Sequence, residues 1–131
     1  MNTFDLHLYA AERYECIAGV ASFAGEDASG RFSLLARHER FMTALGFGLA
    51  RVVLADGSRE YLGLPGGLLY FVDNALRIST RRYLRGKDAE RIGQALTREL
   101  LSEEQALHET RRKLQRLEAE MLKSLVELGR A

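Results

Sequence analysis

The chain has 131 residues, room for one ordinary domain with an appendage but not for two separately cored units of typical size. Nineteen Lys and Arg against eighteen Asp and Glu leave a formal charge of +1, too weak a field to recruit nucleic acid or another polyanion. All the aromatic residues, from Phe4 to Tyr83, and nine of the twelve glycines precede residue 84, so the chain falls into two compositional halves.

Charge does not follow that break: ten basic and nine acidic residues lie up to Gly86, and nine of each from Lys87 onward, so neither half reads as a charged tail. The longest uncharged run, Tyr61 to Val72, is interrupted by Pro65-Gly66-Gly67 and is too short to span a bilayer. The start, Met1-Asn2-Thr3-Phe4-Asp5, lacks the basic segment and apolar stretch of a secretory signal. Cys16 is the only cysteine, which excludes an internal disulfide and fits a reducing compartment. A cytosolic address is therefore expected.

From Thr3 to Thr80, short apolar or alternating runs rich in β-branched and aromatic residues predict strands. Phe4, Leu6 and Leu8 alternate with Asp5, His7 and Tyr9; Ile17 to Phe23 follows, and Gly25 to Gly30 supplies a turn before Phe32 and Leu34. Gly48 to Leu54 and Ser58 to Leu64 flank Ala55-Asp56-Gly57, whose Asp-Gly pair tolerates the positive φ angles of a tight hairpin. Leu68 to Val72 and Leu76 to Thr80 flank Asp73-Asn74 and predict a second hairpin. The total is about eight to ten strands, at the spacing of a sandwich or barrel. Residues 1–86 are thus expected to form an all-β domain.

From Lys87 the period becomes helical. Asp88 is placed as an N-cap ahead of Ala89, Ile92, Leu96 and Leu100, predicting a helix that ends near Leu100. Ser102 with Gln105 forms a capping box, which predicts a second helix running to Gly129. With so short a connection, residues 87–131 are expected to fold as an antiparallel two-helix hairpin, making the chain α+β overall. On the second helix Leu107, Leu114, Leu117, Met121, Leu122, Leu125 and Leu128 share one stripe, with Arg112, Arg116 and Lys123 on a narrow arc opposite and Glu109, Glu120 and Glu127 beside it. The basic arc reads either as a solvated face or as a docking stripe for an acidic surface. The leucines read as a seam against the first helix or as a surface for another protein's helix.

No catalytic or metal set is legible. His7, His38 and His108 are far apart and fall in no metal-ligand spacing. Cys16 has no His or basic neighbour on its own strand face and reads as a small packed thiol. Leu64-Pro65-Gly66-Gly67-Leu68 lacks the Lys-Ser/Thr of a phosphate loop and precedes a strand, so it reads as a turn or a point of close backbone approach. These features describe a binding module rather than an enzyme.

The segment Gly30-Arg31-Phe32-Ser33-Leu34-Leu35-Ala36-Arg37-His38, followed by Thr43-Ala44-Leu45 and Gly48-Leu49-Ala50-Arg51-Val52-Val53, resembles the central motif of the epsilon subunit of F-type ATP synthases. Pro65-Gly66-Gly67-Leu68-Leu69 resembles that family's Ser-Gly-Gly turn, and Leu84-Arg85-Gly86-Lys87-Asp88 its junction into a helical hairpin. The chain departs from the pattern at Arg31, where the family carries Glu, at Ser33 for a second Gly, at Ala36 and Arg40 for two prolines, and at Pro65 for Ser. These departures mark a divergent branch.

The resemblance implies a β-sandwich of about ten strands that docks on the gamma subunit and the ring of c subunits through Arg31, His38, Arg40, Pro65, Gly66 and Gly67. It implies a non-catalytic coupler of rotation to ATP synthesis or hydrolysis, held peripherally on the cytoplasmic face of the plasma membrane. It further implies a hairpin that inhibits hydrolysis by docking Arg112, Arg116 and Lys123 on the catalytic alpha and beta subunits. Asp88 and Arg91 keep the Asp-x-x-Arg spacing with which some relatives bind ATP, but Lys87 and Ile92 replace the flanking residues, and an N-cap is the simpler role for Asp88. No other cofactor and no metal is expected. The competing reading is a free-standing interaction module that dimerises through its leucine stripe, and a third is a β domain that binds a small molecule.

Overall fold

The computed structural model describes residues 2–129. It contains β1 (Phe4–Ala10), β2 (Arg13–Asp27), β3 (Gly30–Leu35), β4 (Phe41–Leu45), β5 (Gly48–Leu54), β6 (Arg59–Leu64), β7 (Gly67–Val72), β8 (Ala75–Ser79), β9 (Leu84–Gly86) and one helix, α1 (Ala89–Gly129). The strand count among the described residues is nine, within the eight to ten expected from the residue pattern and one short of the about ten that the family resemblance implies. Among the described residues, those up to Thr97 form one unit and those from Arg98 a second.

In the first unit the strands pair in the order β1-β8-β7-β4-β2-β5-β6-β9, with β3 also on β2 and β1 also on β2. The fifteen-residue β2 is the common member. Its first half lies antiparallel to β1, with His7 opposite Cys16, and its second half runs between β3 and β5, with Phe23 opposite both Leu34 and Val52. A register shift between Val20 and Ser22, next to Gly19 at φ +68, lets one strand serve both sides of the sandwich. β1 and β8 are parallel, Asp5 opposite Ala75 and Tyr9 opposite Ser79; the other pairings are antiparallel.

The core is the inward parity of these strands. Phe4, Leu6 and Leu8 are buried as their alternation predicts, and Val20, Phe23, Val52, Leu62, Leu69, Phe71, Leu76 and Ile78 close over them. Phe4 and Phe71 meet edge to face with ring centres 5.3 Å apart. Gly25, Glu26 and Asp27 are strand rather than turn, because they continue the ladder with β3 opposite Phe32, Arg31 and Gly30.

Both predicted hairpins form. Between β5 and β6 only Gly57 takes positive φ (+86); Asp56 instead accepts hydrogen bonds from the Ser58 amide and hydroxyl. Between β7 and β8, Asp73 (φ 50) and Asn74 (φ 59) are both left-handed, the two-residue geometry that matches the twist of a hairpin. Asn74 also reaches outward: Oδ1 accepts from the Arg37 amide at 2.7 Å, and Nδ2 donates to the Thr3 carbonyl at 2.9 Å.

Asp88 caps α1, its Oδ1 accepting from the amides of Glu90 (3.1 Å) and Arg91 (3.3 Å). The first turns lie on a seat of glycines. A Cβ on Gly63 would stand 2.9 Å from Ile92 Cγ2, and one on Gly86 would stand 2.9 Å from Ile92 Cδ1. Leu96 is the buried residue of the helix. The expected hairpin is corrected to a single helix: residues 100–105 continue the helix without a break, and Ser102 lies inside it. Between Gly93 and Gly129 the sequence holds no Gly or Pro and is rich in Ala, Leu, Glu, Gln and Arg, so a capping box alone does not outweigh the propagation of strong helix formers.

Candidate docking surfaces

The sandwich residues proposed for docking separate into two groups. β4 runs antiparallel to β7 from Phe41 opposite Phe71 to Leu45 opposite Gly67. At the Leu45 end, Asp27 pairs with Leu45, the Gly46 amide donates to the Glu26 carbonyl at 3.1 Å, and Gly66 (φ +137) turns beside the Leu45 carbonyl. Arg31, opposite Glu26 across the β2–β3 ladder, belongs to this end with Pro65, Gly66 and Gly67. His38 and Arg40 precede Phe41 and belong to the other, about 13 Å away along the four residue steps of the strand. His38 stands edge-on to Phe41 and Phe71, with centres 5.9 and 6.0 Å away.

The Leu45 end is rigid for identifiable reasons. Gly67 has no space for a Cβ, which would lie 2.6 Å from the Ser79 carbonyl oxygen, so the expected close backbone approach is present. The Thr80 hydroxyl donates to the Gly66 carbonyl at 2.6 Å. Asp27 accepts from the Ser29 hydroxyl (2.5 Å), the Ser29 amide (2.9 Å) and the Thr43 hydroxyl (2.7 Å). The hydrogen bonds from Ser29 and Thr43 hold its carboxyl below the usual value. Beside this end Arg31, Arg51 and Tyr61 rim a groove of about 460 Å³ floored by Ala24, Gly25, Ser33 and Ala50, with Glu26 as its acidic member.

A further surface was missed by the motif search. On the outward parity of β4 and β7, Met42 faces Tyr70 and Ala44 faces Leu68, and Met42 and Leu68 are 67% and 63% exposed. Apolar residues at the positions that alternate with core residues were the available signal. In the second unit the helical stripe is likewise uncovered, from Leu107 at 52% to Leu128 at 72% exposed. Arg112, Arg116 and Lys123 are exposed on that helix, and Arg91 is exposed beside the cap.

Strand register also gathers residues that sequence spacing kept apart. His7 lies directly opposite Cys16, and ligand atoms of Asp5, His7 and Cys16 all fall within 4.8 Å of one another. The expected small packed thiol is corrected: Cys16 is exposed on β2, and although its own strand face brings it no histidine, the adjacent strand brings His7.

A β-sandwich with uncovered outward apolar strips, followed by an amphipathic helix, defines a docking subunit whose work is done at protein surfaces. Residues 3–86 match the family described as ATP synthase, Delta/Epsilon chain, beta-sandwich domain. The chain belongs to the delta/epsilon chain family of ATP synthases, among its epsilon chains. It is 31% identical over 109 residues to the ATP synthase epsilon chain 2 of Cereibacter sphaeroides, an alignment covering 82% of this chain and 75% of that one. The ATP synthase epsilon chain of Delftia acidovorans is 31% identical over 93 residues, covering 69% and 65% respectively, so the chain spans under two thirds of that relative. Among solved structures, a chain of the Euglena gracilis mitochondrial ATP synthase complex of OSCP, F1 and c-ring superposes with a TM-score of 0.60 at 22% identity, covering 73% of this chain and 62% of that one. One from the central stalk and c-ring of the Tetrahymena thermophila mitochondrial enzyme gives 0.53 at 11% identity, covering 63% and 66%. These two likenesses show the sandwich fold.

Proposed function

We propose that this chain is the non-catalytic epsilon subunit of a rotary F-type ATP synthase, coupling the gamma subunit and the ion-driven c-ring to ATP synthesis and hydrolysis in the catalytic alpha and beta subunits. Membership in the epsilon family carries the reading, and on it the exposed surfaces described above become candidate contacts. The rigid end holding Arg31 and Pro65 to Gly67 is the candidate contact for ring loops, and Arg31 in place of an acidic residue calls for a ring loop of altered charge. His38 and Arg40, at the other end, are then a separate contact, and the Met42–Leu68 strip is a third surface suited to a subunit face.

Among the described residues no helix is long and apolar enough to cross a membrane. The proposal therefore places the chain on the stalk, peripheral to the bilayer, at the cytoplasmic face of the plasma membrane. It assigns the exposed leucines and the arc of Arg112, Arg116 and Lys123 to the catalytic head, and the two-helix hairpin to a second arrangement of the same segment in which residues near Ser102 leave the helix. It gives Asp88 the role of N-cap rather than nucleotide ligand, the role that the Glu90 and Arg91 amides on its Oδ1 support.

Co-expression with the gamma subunit and c-ring of the same source tests the reading. A stable complex containing this chain is expected, and removal of residues after Gly86 should leave it assembled while raising ATP hydrolysis. A chain that self-associates through α1 and ignores gamma would instead establish the dimeric adaptor.

A further inference from the structure

The outward face of the β1–β2 ladder carries Asp5, His7 and Cys16, and no part of the docking proposal uses them. Two features set them apart from chance neighbours. The donors differ in kind, a carboxylate, an imidazole and a thiol, which is the mixture that borderline divalent cations prefer. The imidazole is also oriented in advance: Tyr14 hydrogen-bonds His7 Nδ1 at 2.7 Å, with its ring stacked 6.1 Å away at 16°. Orientation of a ligating histidine through its second nitrogen is the usual support of a metal site.

We propose that Asp5, His7 and Cys16 form a three-ligand site for a single zinc-type divalent cation. His7 and Cys16 enter from directly opposed positions on adjacent strands, and Asp5 lies two residues from His7 on the same face. Zinc bonds of about 2.0–2.3 Å put tetrahedral ligand atoms about 3.5 Å apart, so donors within 4.8 Å close by about an ångström through side-chain rotation on an open sheet face. Cys16 ligates as the thiolate, its proton passing to solvent, and His7 ligates through Nε2 while Tyr14 holds the other nitrogen. The carboxylate and thiolate then neutralise the cation's two charges. Water fills the fourth position. Arg77, opposite His7 on β8, is an unfavourable charge in register with the site.

Cobalt(II) titration of the purified full chain tests the site, because thiolate ligation gives a charge-transfer band and tetrahedral geometry gives intense visible bands. One equivalent of cobalt should develop both, and zinc should displace it. Cys16→Ser should abolish the charge-transfer band, while His7→Gln and Asp5→Asn should each weaken binding at least about tenfold, with unchanged melting of the metal-free chains. Tyr14→Phe should weaken it about tenfold by releasing the ring, and Arg77→Gln should tighten it. Zinc should also slow alkylation of Cys16. Absence of the bands, or binding unaffected by His7→Gln and Asp5→Asn, would overturn the proposal, the latter by reducing it to a bare thiol.

Discussion

Arg85 grips Glu60 with two parallel hydrogen bonds, Nε to Oε1 at 3.1 Å and Nη2 to Oε2 at 3.0 Å, tying β9 to β6 immediately before the helix. Its remaining Nη1 reaches Glu15 Oε2 on β2 at 2.9 Å. Tyr83 donates to Glu15 Oε1 at 2.9 Å, and the Arg13 guanidinium lies 4.4 Å above the Tyr83 ring. Glu60 is the buried carboxylate of the sandwich, so the fork is what keeps a charge there tolerable. Arg85→Ala should therefore cost about 2–3 kcal/mol in urea unfolding, since it strands Glu60. Arg85→Lys should recover less than half, for want of the planar fork. A loss no larger than that of an exposed ion pair would show that the fork is dispensable.

The same network sets the pH range of stability. Burial works against the charge on Glu15, but the Tyr83 hydrogen bond and the cations of Arg85 and Arg13 outweigh it and hold the carboxyl below its ordinary 4.5. A carboxyl depressed on folding contributes stability above the unfolded value and loses it as pH falls through the folded one. Tyr83 is pushed above its ordinary 10.0, by burial first and then by its bond to Glu15, so its contribution is complete below that value and lost as pH rises through the folded one. Urea midpoints measured against pH should fall on both sides of a plateau. Glu15→Gln should shorten the acid limb, leaving the part that Asp27 and Asp56 contribute, and Tyr83→Phe should flatten the alkaline one.

Glycine substitutions should rank by what the new methyl meets. Gly67→Ala drives Cβ against the Ser79 carbonyl, an atom of the backbone that cannot step aside, and should cost more than 2 kcal/mol. Gly63→Ala meets the branched Ile92 Cγ2, whereas Gly86→Ala meets chiefly its terminal Cδ1, so the order of cost should be Gly67, Gly63, Gly86. Hydrogen exchange of the amides of residues 92–97 should accelerate in Gly63→Ala, and Ile92→Ala in the same chain should slow it again. Exchange unaffected by Gly63→Ala would mean that these turns are not held by the seat.

Asn74 carries a turn and a fastening at once, and the two are separable. Asn74→Gly keeps the left-handed turn but loses the bonds to Arg37 and Thr3, and should cost about 1–2 kcal/mol in thermal unfolding. Asp73→Gly relieves a non-glycine φ of 50 without touching those bonds and should be neutral or mildly stabilising. Equal effects would show that the fastening contributes nothing.

Arg31 tests recognition. Arg31→Glu restores the family's charge at an exposed position but sets a second carboxylate opposite Glu26, so folding should lose no more than about 1 kcal/mol, while assembly with a c-ring should weaken by about tenfold. Equal recovery of complex would remove Arg31 from the contact.

What could be read in advance follows from range. Alternation in β1, the Asp56-Gly57 and Asp73-Asn74 hairpins and the Asp88 cap are decided by neighbours a few residues away, and each was legible. The run through Ser102 was misread because a local stop signal was weighed without the helix-forming sequence on both sides of it. His7 beside Cys16, the fork from Arg85 to Glu60 and the division of Arg31 from His38 all depend on pairings between strands. The outward positions of β4 and β7, Met42, Ala44, Leu68 and Tyr70, share one face only through the pairing of the two strands, which sequence spacing does not reveal.

The parallel pairing of β1 with β8 also constrains how the sandwich comes into being. Asp5 meets Ala75 seventy positions later, so one edge of β1, the first of these nine strands, waits for nearly all the sandwich to be synthesised. Its other edge can zip onto β2 at once through the short connection after Ala10. Closure is then a late, long-range event with a large loop entropy to overcome, placing folding in the millisecond-to-second class. Until it happens, the β8-facing edge of β1 is an open template for other chains, so assembly of the stalk depends on the speed of this one closure as well as on the finished surfaces.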